Sequence, residues 1–164
     1  MSLTNSVKIC FVCLGNICRS PLAQGVFETL VDKENYQDSI HIESAGTGNW
    51  HVGNPPDKRM QTTALKNGVT MNSLARQFQP DDFNRFDLII AMDQTNYADL
   101  ATLCSPSIAE KKLKLFRSFD PKNSVAQLQD VPDPYYGGDE GFDNVFDIIN
   151  RTSPKILDFI KTNF

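Results

Sequence analysis

An α/β fold is what this sequence predicts: a three-layer sandwich with a four-stranded parallel sheet and helices on both faces. Short β-branched and aromatic runs of strand length alternate with amphipathic stretches of helix length. The first such run is apolar at nearly every position, the pattern of a strand covered on both sides. Gly, Asn and Pro gather between the runs, where turns belong.

Taken in order, Val7 to Cys13 (VKICFVC) reads as the central strand. Leu14 to Arg19 turns into Ser20-Pro21, where Ser suits a helix N-cap and Pro the first helical position. Leu22, Val26, Phe27 and Leu30 recur at helical spacing, and polar Asp32 to Asp38 ends that helix before Ile40 to Ser44 alternates as a second strand. Gly46 to Pro56 is a loop long enough to carry function, with Trp50 and His51 at its tip. Pro55-Pro56-Asp57 opens a second helix that Asn67-Gly68 closes, and Phe86 to Met92 is the third strand. Thr95 to Leu103 reads as helix and Lys112 to Phe116 as the fourth strand. Leu128 to Gly141 is aperiodic, and Phe142, Val145, Phe146, Ile149, Ile156 and Ile160 then mark a final helix. Pro154 is expected to kink it, with Ser153 capping the second piece.

The 164 residues predict a single domain, 1–164, large enough for one substantial core. Sixteen Lys and Arg against twenty Asp and Glu leave a net charge of −4, so no general positive field favours nucleic acid. The apolar run Ile9 to Leu14 is too short to span a bilayer or serve as a signal core, so no integral membrane segment is expected. Three of four Cys fall within nine residues (10, 13 and 18, with 104 apart), a poor disulfide framework. Reduced thiols in a cytoplasmic protein are the expectation.

The chemistry concentrates in Cys13 to Ser20. Five residues separate Cys13 from Arg19, between a buried strand and a helix N-terminus. A turn of that length converges its backbone N–H groups and the positive helix end on one tetrahedral oxyanion. Arg19 adds a bidentate fork for two phosphoryl oxygens, and the same fields favour thiolate over thiol at Cys13. By composition, a chance Cys-x5-Arg-[Ser/Thr] match is expected about 0.02 times in such a chain. No Lys follows Gly15 in the manner of a Walker loop, so nucleoside triphosphates have no support.

Other uses of the thiols fare worse. Cys10-Phe11-Val12-Cys13 spells C-x-x-C, but in a strand those side chains point to opposite faces with α-carbons ~10 Å apart. That geometry, and the gap to Cys104, also count against a zinc site, so no metal or cofactor is expected. Cys10 and Cys104 read as small buried hydrophobes. A leaving oxygen needs a proton donor, for which Asp133 in Asp133-Pro134-Tyr135-Tyr136 and Asp93 after the third strand compete. Each also reads as a turn or cap residue, as does Asp120-Pro121.

At this point the chain resembles the low-molecular-weight protein tyrosine phosphatases over essentially its whole length. The resemblance rests on Val12 to Pro21 (VCLGNICRSP), Gly53-Asn54-Pro55-Pro56-Asp57, Ala75-Arg76-Gln77 and Asp133-Pro134-Tyr135-Tyr136. It implies a four-stranded parallel sheet with helices on both sides. It also implies metal-free hydrolysis of phosphotyrosine and small aryl phosphates through a cysteinyl-phosphate, an acid phosphatase-like activity on phosphotyrosine proteins or peptides. By this resemblance Cys13 is the nucleophile, Arg19 the phosphate clamp and Asp133 the general acid and later base. Leu14, Gly15, Asn16, Ile17, Cys18, Arg19 and Ser20 surround the phosphate. Asn16 shapes the loop through a strained backbone and a hydrogen bond to a residue such as Ser44, and Ser20 donates to the thiolate. Cys18 resembles a second thiol that traps oxidised Cys13 as a disulfide. Trp50 and Tyr135 resemble aromatic walls, His51 a tuner of leaving-group preference, and Tyr136 or Tyr135 a kinase target.

The chain departs from better-known relatives at Ser73, where animal members often carry a His supporting the loop Asn, and in a longer segment between Phe116 and Asp133. Two other functions compete. Thioredoxin-coupled arsenate reductases share the fold and loop but use a further Cys pair after the third strand, whereas Met71 to Leu103 holds no Cys and Cys104 stands alone. A non-catalytic phosphotyrosine-binding module would have no need of Asp133. Aromatic residues at the mouth, Trp50, Tyr135 and Tyr136, suit weak self-association; sedimentation showing monomer alone at high concentration would count against that.

Overall fold

The computed structural model describes residues 3–123 and 129–164. Its elements run β1 (Val7–Cys13), α1 (Arg19–Lys33), β2 (Ile40–Gly46), α2 (Lys58–Lys66), α3 (Asp82–Arg85), β3 (Leu88–Ala91), α4 (Gln94–Ala101), α5 (Pro106–Lys112), β4 (Leu113–Leu115), a 3-10 turn (Phe116–Phe119) and α6 (Asp139–Asn163). The strands pair in parallel in the order β2-β1-β3-β4. The sheet is thus the predicted one, and β1 occupies its centre because its residues are apolar on both faces.

Strand alternation divides those residues between two cores. Ile9, Phe11 and Cys13 face the larger core, with Leu22 and Phe27 of α1 and Val145, Ile149 and Ile156 of α6. Phe11 anchors it, with its ring centroid 5.7 Å from that of Phe27 and 6.0 Å from that of Phe116. Cys10 and Val12 face the other core, with Phe78, Phe83, Leu100 and Leu113. Cys10 and Cys13 therefore point apart, and all four thiols are free. Cys104 is only half-buried at the margin of the second core, less enclosed than expected, because it lies just beyond the end of α4.

Several local expectations are corrected. Ser20 does not cap α1: the helix already begins at Arg19, with Cys18 at the cap position and no side-chain cap. The Ser20 hydroxyl is instead drawn to the Cys13 sulfur, leaving the helix end open to a ligand. Ser105-Pro106 does what was expected at 20–21, since the Ser105 hydroxyl accepts from Ile108 N–H at 3.4 Å and starts α5, a helix not anticipated. Neither was α3, whose four residues are too few for periodicity to register.

Pro154 does not divide the last helix, which is continuous from Asp139 to Asn163. Ser153 caps nothing; its hydroxyl donates to Ile149 C=O at 2.7 Å, as that of Thr152 does to Ile148 C=O at 2.6 Å. An interior proline costs ~3 kcal/mol. Burying Val145, Ile149, Ile156, Leu157 and Ile160, each worth ~1.5–3 kcal/mol, outweighs that cost. The aperiodic segment read from Leu128 begins outside the described residues, as does part of the added length between Phe116 and Asp133.

Asp120 is a turn residue, accepting from Lys122 N–H, and also a buried anchor. Its carboxylate accepts from Arg151 Nε and Nη2 at 2.9 and 2.8 Å and from Arg117 Nε at 3.0 Å, joining the 3-10 turn to α6. Burial pushes this carboxyl up, but the Arg151 bonds and the Lys122 N–H outweigh burial and hold it below the usual carboxylate range. Its stabilising contribution is therefore complete above about pH 4 and lost as pH falls through the depressed value. Asp120→Ala strands two guanidinium groups and is expected to cost about 3 kcal/mol in urea unfolding at neutral pH. The gap from wild type should narrow below about pH 4; a gap independent of pH would contradict the assignment.

Candidate active site

The site forms where β1 ends. Parallel α/β sheets collect ligands at the carboxyl ends of their strands, where the chain order switches direction. Here β1 sends one neighbour to each side, β2 and β3, and its last residue is Cys13. The loop from Leu14 to Cys18 rises from that edge and runs directly into α1.

Close backbone packing shapes this loop. Thr47 N–H donates to Cys13 C=O at 2.8 Å and Gly48 N–H to Leu14 C=O at 2.9 Å. Gly46 has no room for a side chain: a Cβ there would lie 2.7 Å from the Leu14 carbonyl oxygen. Asn16 adopts φ 56°, a left-handed conformation that Asn tolerates better than most residues. The turn directs Asn16 N–H at Cys13 Sγ, 3.3 Å away, while Ser20 Oγ lies 2.9 Å from the same sulfur.

A polar network fixes Asn16. Its Nδ2 donates to Ser20 Oγ at 2.8 Å and to Ser44 Oγ at 3.0 Å, and its Oδ1 accepts from Arg76 N–H at 3.0 Å. Ser44 Oγ donates onward to Gln24 Oε1 at 2.7 Å, and Gln24 Nε2 to Glu28 Oε1 at 2.9 Å. With Ser at position 73, Asn16 is supported by Ser44, itself held by Gln24, and by the Arg76 backbone. Gln24 stands one helical turn after Ser20, so the spacing that would have pointed to it is i, i+4 along α1.

Arg19 is 3% exposed, with its guanidinium held among acceptors from two segments. Nη1 donates to Asp93 Oδ2 at 2.6 Å and to Val131 C=O at 3.1 Å, and Nη2 lies 3.5 Å from Asp133 Oδ2. Burial works against its charge, but the nearby sulfur of Cys13 and the Asp93 carboxylate prevail and hold it above its ordinary value.

The two candidate acids separate here. Asp93 has both oxygens engaged, Oδ2 with Arg19 and Oδ1 as the N-cap acceptor for Asn96 N–H at 2.7 Å. Asp133 has both oxygens placed as well, Oδ1 accepting from Tyr135 N–H at 3.1 Å and Oδ2 lying 3.5 Å from Arg19 Nη2, but its side chain is 36% exposed and lines the cavity, which Asp93 does not. That cavity, of about 330 Å³, is bounded by Cys13, Leu14, Gly15, Ile17, Cys18 and Arg19 below. Trp50, His51, Asp133, Tyr135 and Tyr136 complete it.

The mouth is aromatic and open. Trp50 is 71% exposed, although its ring lies against Gly48, where a Cβ would collide with it. The Tyr135 ring centroid lies 6.2 Å from that of His51 and 4.9 Å from that of Tyr136, which is 90% exposed. Cys18 is buried beside the nucleophile candidate, and burial pushes its thiol well up. Cys104 does not reach the cavity.

Cys13 to Ser20, Ser44, Trp50, His51, Asp133, Tyr135 and Tyr136 thus lie in this cavity or in the network beneath it, whereas Cys10, Cys104 and Asp120 lie elsewhere. Gln24, Arg76, Asp57 and Arg59 were not foreseen as site residues. Asp57 had been read as a helix opener, which it is, accepting from Arg59 N–H as the N-cap of α2. Its own N–H also donates to Ile17 C=O in the loop between β1 and α1 at 2.8 Å.

Known proteins share this fold and much of this sequence. The profile of the family described as "Low molecular weight phosphotyrosine protein phosphatase" matches residues 8–164. The protein of that name from Gallus gallus is 42% identical over 152 residues, covering 92% of this chain and 94% of its own length. The "Low molecular weight protein-tyrosine-phosphatase" of Streptomyces coelicolor is 39% identical, covering 92% and 91%. Among solved structures, a protein tyrosine phosphatase from Entamoeba histolytica superposes with a TM-score of 0.88 at 34% identity, covering 96% of this chain and 98% of its own. A Drosophila arginine phosphatase does so with a TM-score of 0.84 at 33% identity, covering 96% and 100%. Sequence relationship over nearly the full length and a shared fold agree, and the chain belongs to the low molecular weight phosphotyrosine protein phosphatase family.

Proposed function

We propose that the chain, acting as one domain over residues 1–164, hydrolyses phosphotyrosine in proteins or peptides through a cysteinyl-phosphate. The observation that carries this reading is that Cys13, Arg19 and Asp133 meet in one cavity whose walls are aromatic and aliphatic. The loop backbone and Arg19 receive the phosphoryl oxygens. The Cys13 thiolate attacks phosphorus, forming an S–P bond as the P–O bond to the tyrosine breaks. The departing phenolic oxygen takes the proton of the Asp133 carboxyl. Asp133, now a carboxylate, removes a proton from a water that attacks phosphorus; the S–P bond breaks, releasing inorganic phosphate and restoring the thiolate.

The remaining assignments belong to the same reading. Ser20 and Asn16 N–H stabilise the sulfur anion when it forms and when it leaves, and Ser44 supports Asn16. Trp50 and Tyr135 flank a planar aryl ring, with His51 beside them. Cys18 is the trap for oxidised Cys13, and the exposed Trp50 and Tyr136 support weak self-association at the mouth. A cytoplasmic location goes with the free thiols; among the described residues no helix is long and apolar enough to cross a membrane.

Rapid-quench kinetics in reductant and EDTA test the reading, with phosphotyrosine, phosphoserine and phosphoarginine peptides compared. Stoichiometric phosphorylation of Cys13 before steady turnover, selective for phosphotyrosine, is expected. Asp133→Ala should lower kcat/KM for phosphotyrosine by about 10²–10³. Turnover without a Cys13 phosphoenzyme would remove the mechanism, and preference for phosphoarginine would replace the substrate.

A further inference from the structure

The segment carrying Asp133 is tied down unevenly. Upstream, Val131 N–H donates to Met92 C=O at 3.0 Å, Arg117 Nη1 to Asp130 C=O at 3.2 Å, and Gln94 N–H to the Asp130 carboxylate at 2.9 Å. Downstream the chain bonds mainly to itself: Tyr135 N–H to Asp133, and Gly137 N–H to Pro134 C=O. Apart from Gly141 N–H to Gly138 C=O where α6 begins, the hydrogen bond that ties 134–138 to another part of the fold among the described residues comes from Arg59, whose Nη2 donates to Tyr135 C=O at 3.2 Å.

Arg59 is held for this task. Its Nε and Nη2 form a fork with Asp57 Oδ1 and Oδ2 at 3.1 and 2.9 Å. Its guanidinium carbon lies 4.8 Å from the ring centre of Phe142, fixed in α6, and 5.6 Å from that of Tyr135. Asp57 in turn donates its N–H to Ile17 C=O of the phosphate loop. A continuous path therefore runs from the loop that holds phosphate, through Asp57 and Arg59, to the residue two places after Asp133. A half-exposed surface ion pair adds little to stability, so the arrangement has its effect on geometry.

We propose that Arg59 is a positioning residue that sets the Asp133 carboxyl at its working distance from the phosphate cradle, so that protonation of the leaving phenol depends on it. This rests on the reading of Asp133 as general acid. Lys cannot substitute, because one ammonium cannot fork Asp57 while also reaching Tyr135 C=O and stacking on two rings.

The test measures kcat/KM along a series of aryl phosphates whose phenols range from weakly to strongly acidic. Wild type is compared with Arg59→Ala, Arg59→Lys, Asp133→Ala and the Asp133→Ala/Arg59→Ala double variant. Arg59→Ala is expected to lose about tenfold on phenyl phosphate and phosphotyrosine, but less than about twofold on 2,4-dinitrophenyl phosphate, whose phenolate departs without a proton. Arg59→Lys should resemble Arg59→Ala. The double variant should lose no more than Asp133→Ala, and competitive inhibition by inorganic phosphate and the unfolding midpoint should stay at wild-type values.

Equal loss for every leaving group, no loss, or full additivity with Asp133→Ala would overturn the positioning role. A steep leaving-group dependence in Asp133→Ala beside a flat one in Arg59→Ala would refute Arg59 alone. A flat response in Asp133→Ala would remove the general acid and this inference with it.

Discussion

Cys13→Ser should abolish turnover while leaving the phosphate cradle able to bind. A serine hydroxyl in this position holds its proton at any pH at which the protein is folded, and the bond it would form with phosphorus gives a poorer leaving group in the second step. The loss is expected to reach about 10⁴-fold or more, ~5 kcal/mol of barrier. Binding depends on the loop backbone and Arg19, and oxygen is smaller than sulfur, so Ser20 and Asn16 N–H, now 2.9 and 3.3 Å from Sγ, have no new clash to avoid. Phosphotyrosine peptide titration against the inactive variant should therefore give an affinity within a few-fold of the wild-type KM. Residual turnover above about 1% would mean that another group attacks phosphorus.

Arg19→Lys should fail differently, losing binding and rate together. The guanidinium sits at 3% exposure with Nη1 on Asp93 and Val131 C=O, and Nη2 turned toward Asp133. It thus presents donors of fixed direction, one on the Asp93 carboxylate and one turned toward Asp133 at the cavity. Lys retains the charge but has one terminal nitrogen, which cannot serve Asp93 and two phosphoryl oxygens in one plane. The expected decrease in kcat/KM is about 10²–10³, comparable with removing a transition-state donor, and inhibition by inorganic phosphate should weaken in parallel. Weakened phosphate inhibition in Arg19→Lys beside preserved binding in Cys13→Ser would separate clamp from nucleophile. Unchanged phosphate inhibition in Arg19→Lys would show that the backbone cradle alone supplies the affinity.

How far the site was legible in the sequence depends on whether its residues were neighbours in the chain. Cys13 to Ser20 form one turn between a strand and a helix, and short-range geometry already implied their common focus. Asp133 was visible as a carboxylate in an aperiodic loop, but only the family resemblance, and no local pattern, set it above Asp93. The structure separates them by position: Asp133 lines the cavity, whereas Asp93 is the N-cap of α4 and bonds Arg19 without lining it. Gln24, Asp57 and Arg59 gave no separate signal, since a polar residue on a helix face reads as solvated until the surface it meets is known.

Local patterns also misled where packing prevailed. Ser20-Pro21 and Ser105-Pro106 carry the same helix-start signature, yet only Ser105 caps, because the Ser20 hydroxyl has a sulfur and an amide to satisfy. Pro154 marks a break by propensity, yet α6 continues because its apolar face is buried in the larger core on both sides of that proline.

The sequence by itself determined the alternation of strands and helices, the central place of β1 and the Cys13-to-Arg19 loop at its end. Those follow from periodicity and from contacts within a few residues. Only the tertiary structure decided which carboxylate faces the cavity, what supports Asn16 in place of a histidine, and how α2 reaches the loop of Asp133. These depend on residues 20 to 114 positions apart being brought within hydrogen-bonding distance, from Ser44 and Gln24 to Arg19 and Asp133. No local propensity encodes such meetings, because their energy appears only after the two cores have closed on the sheet.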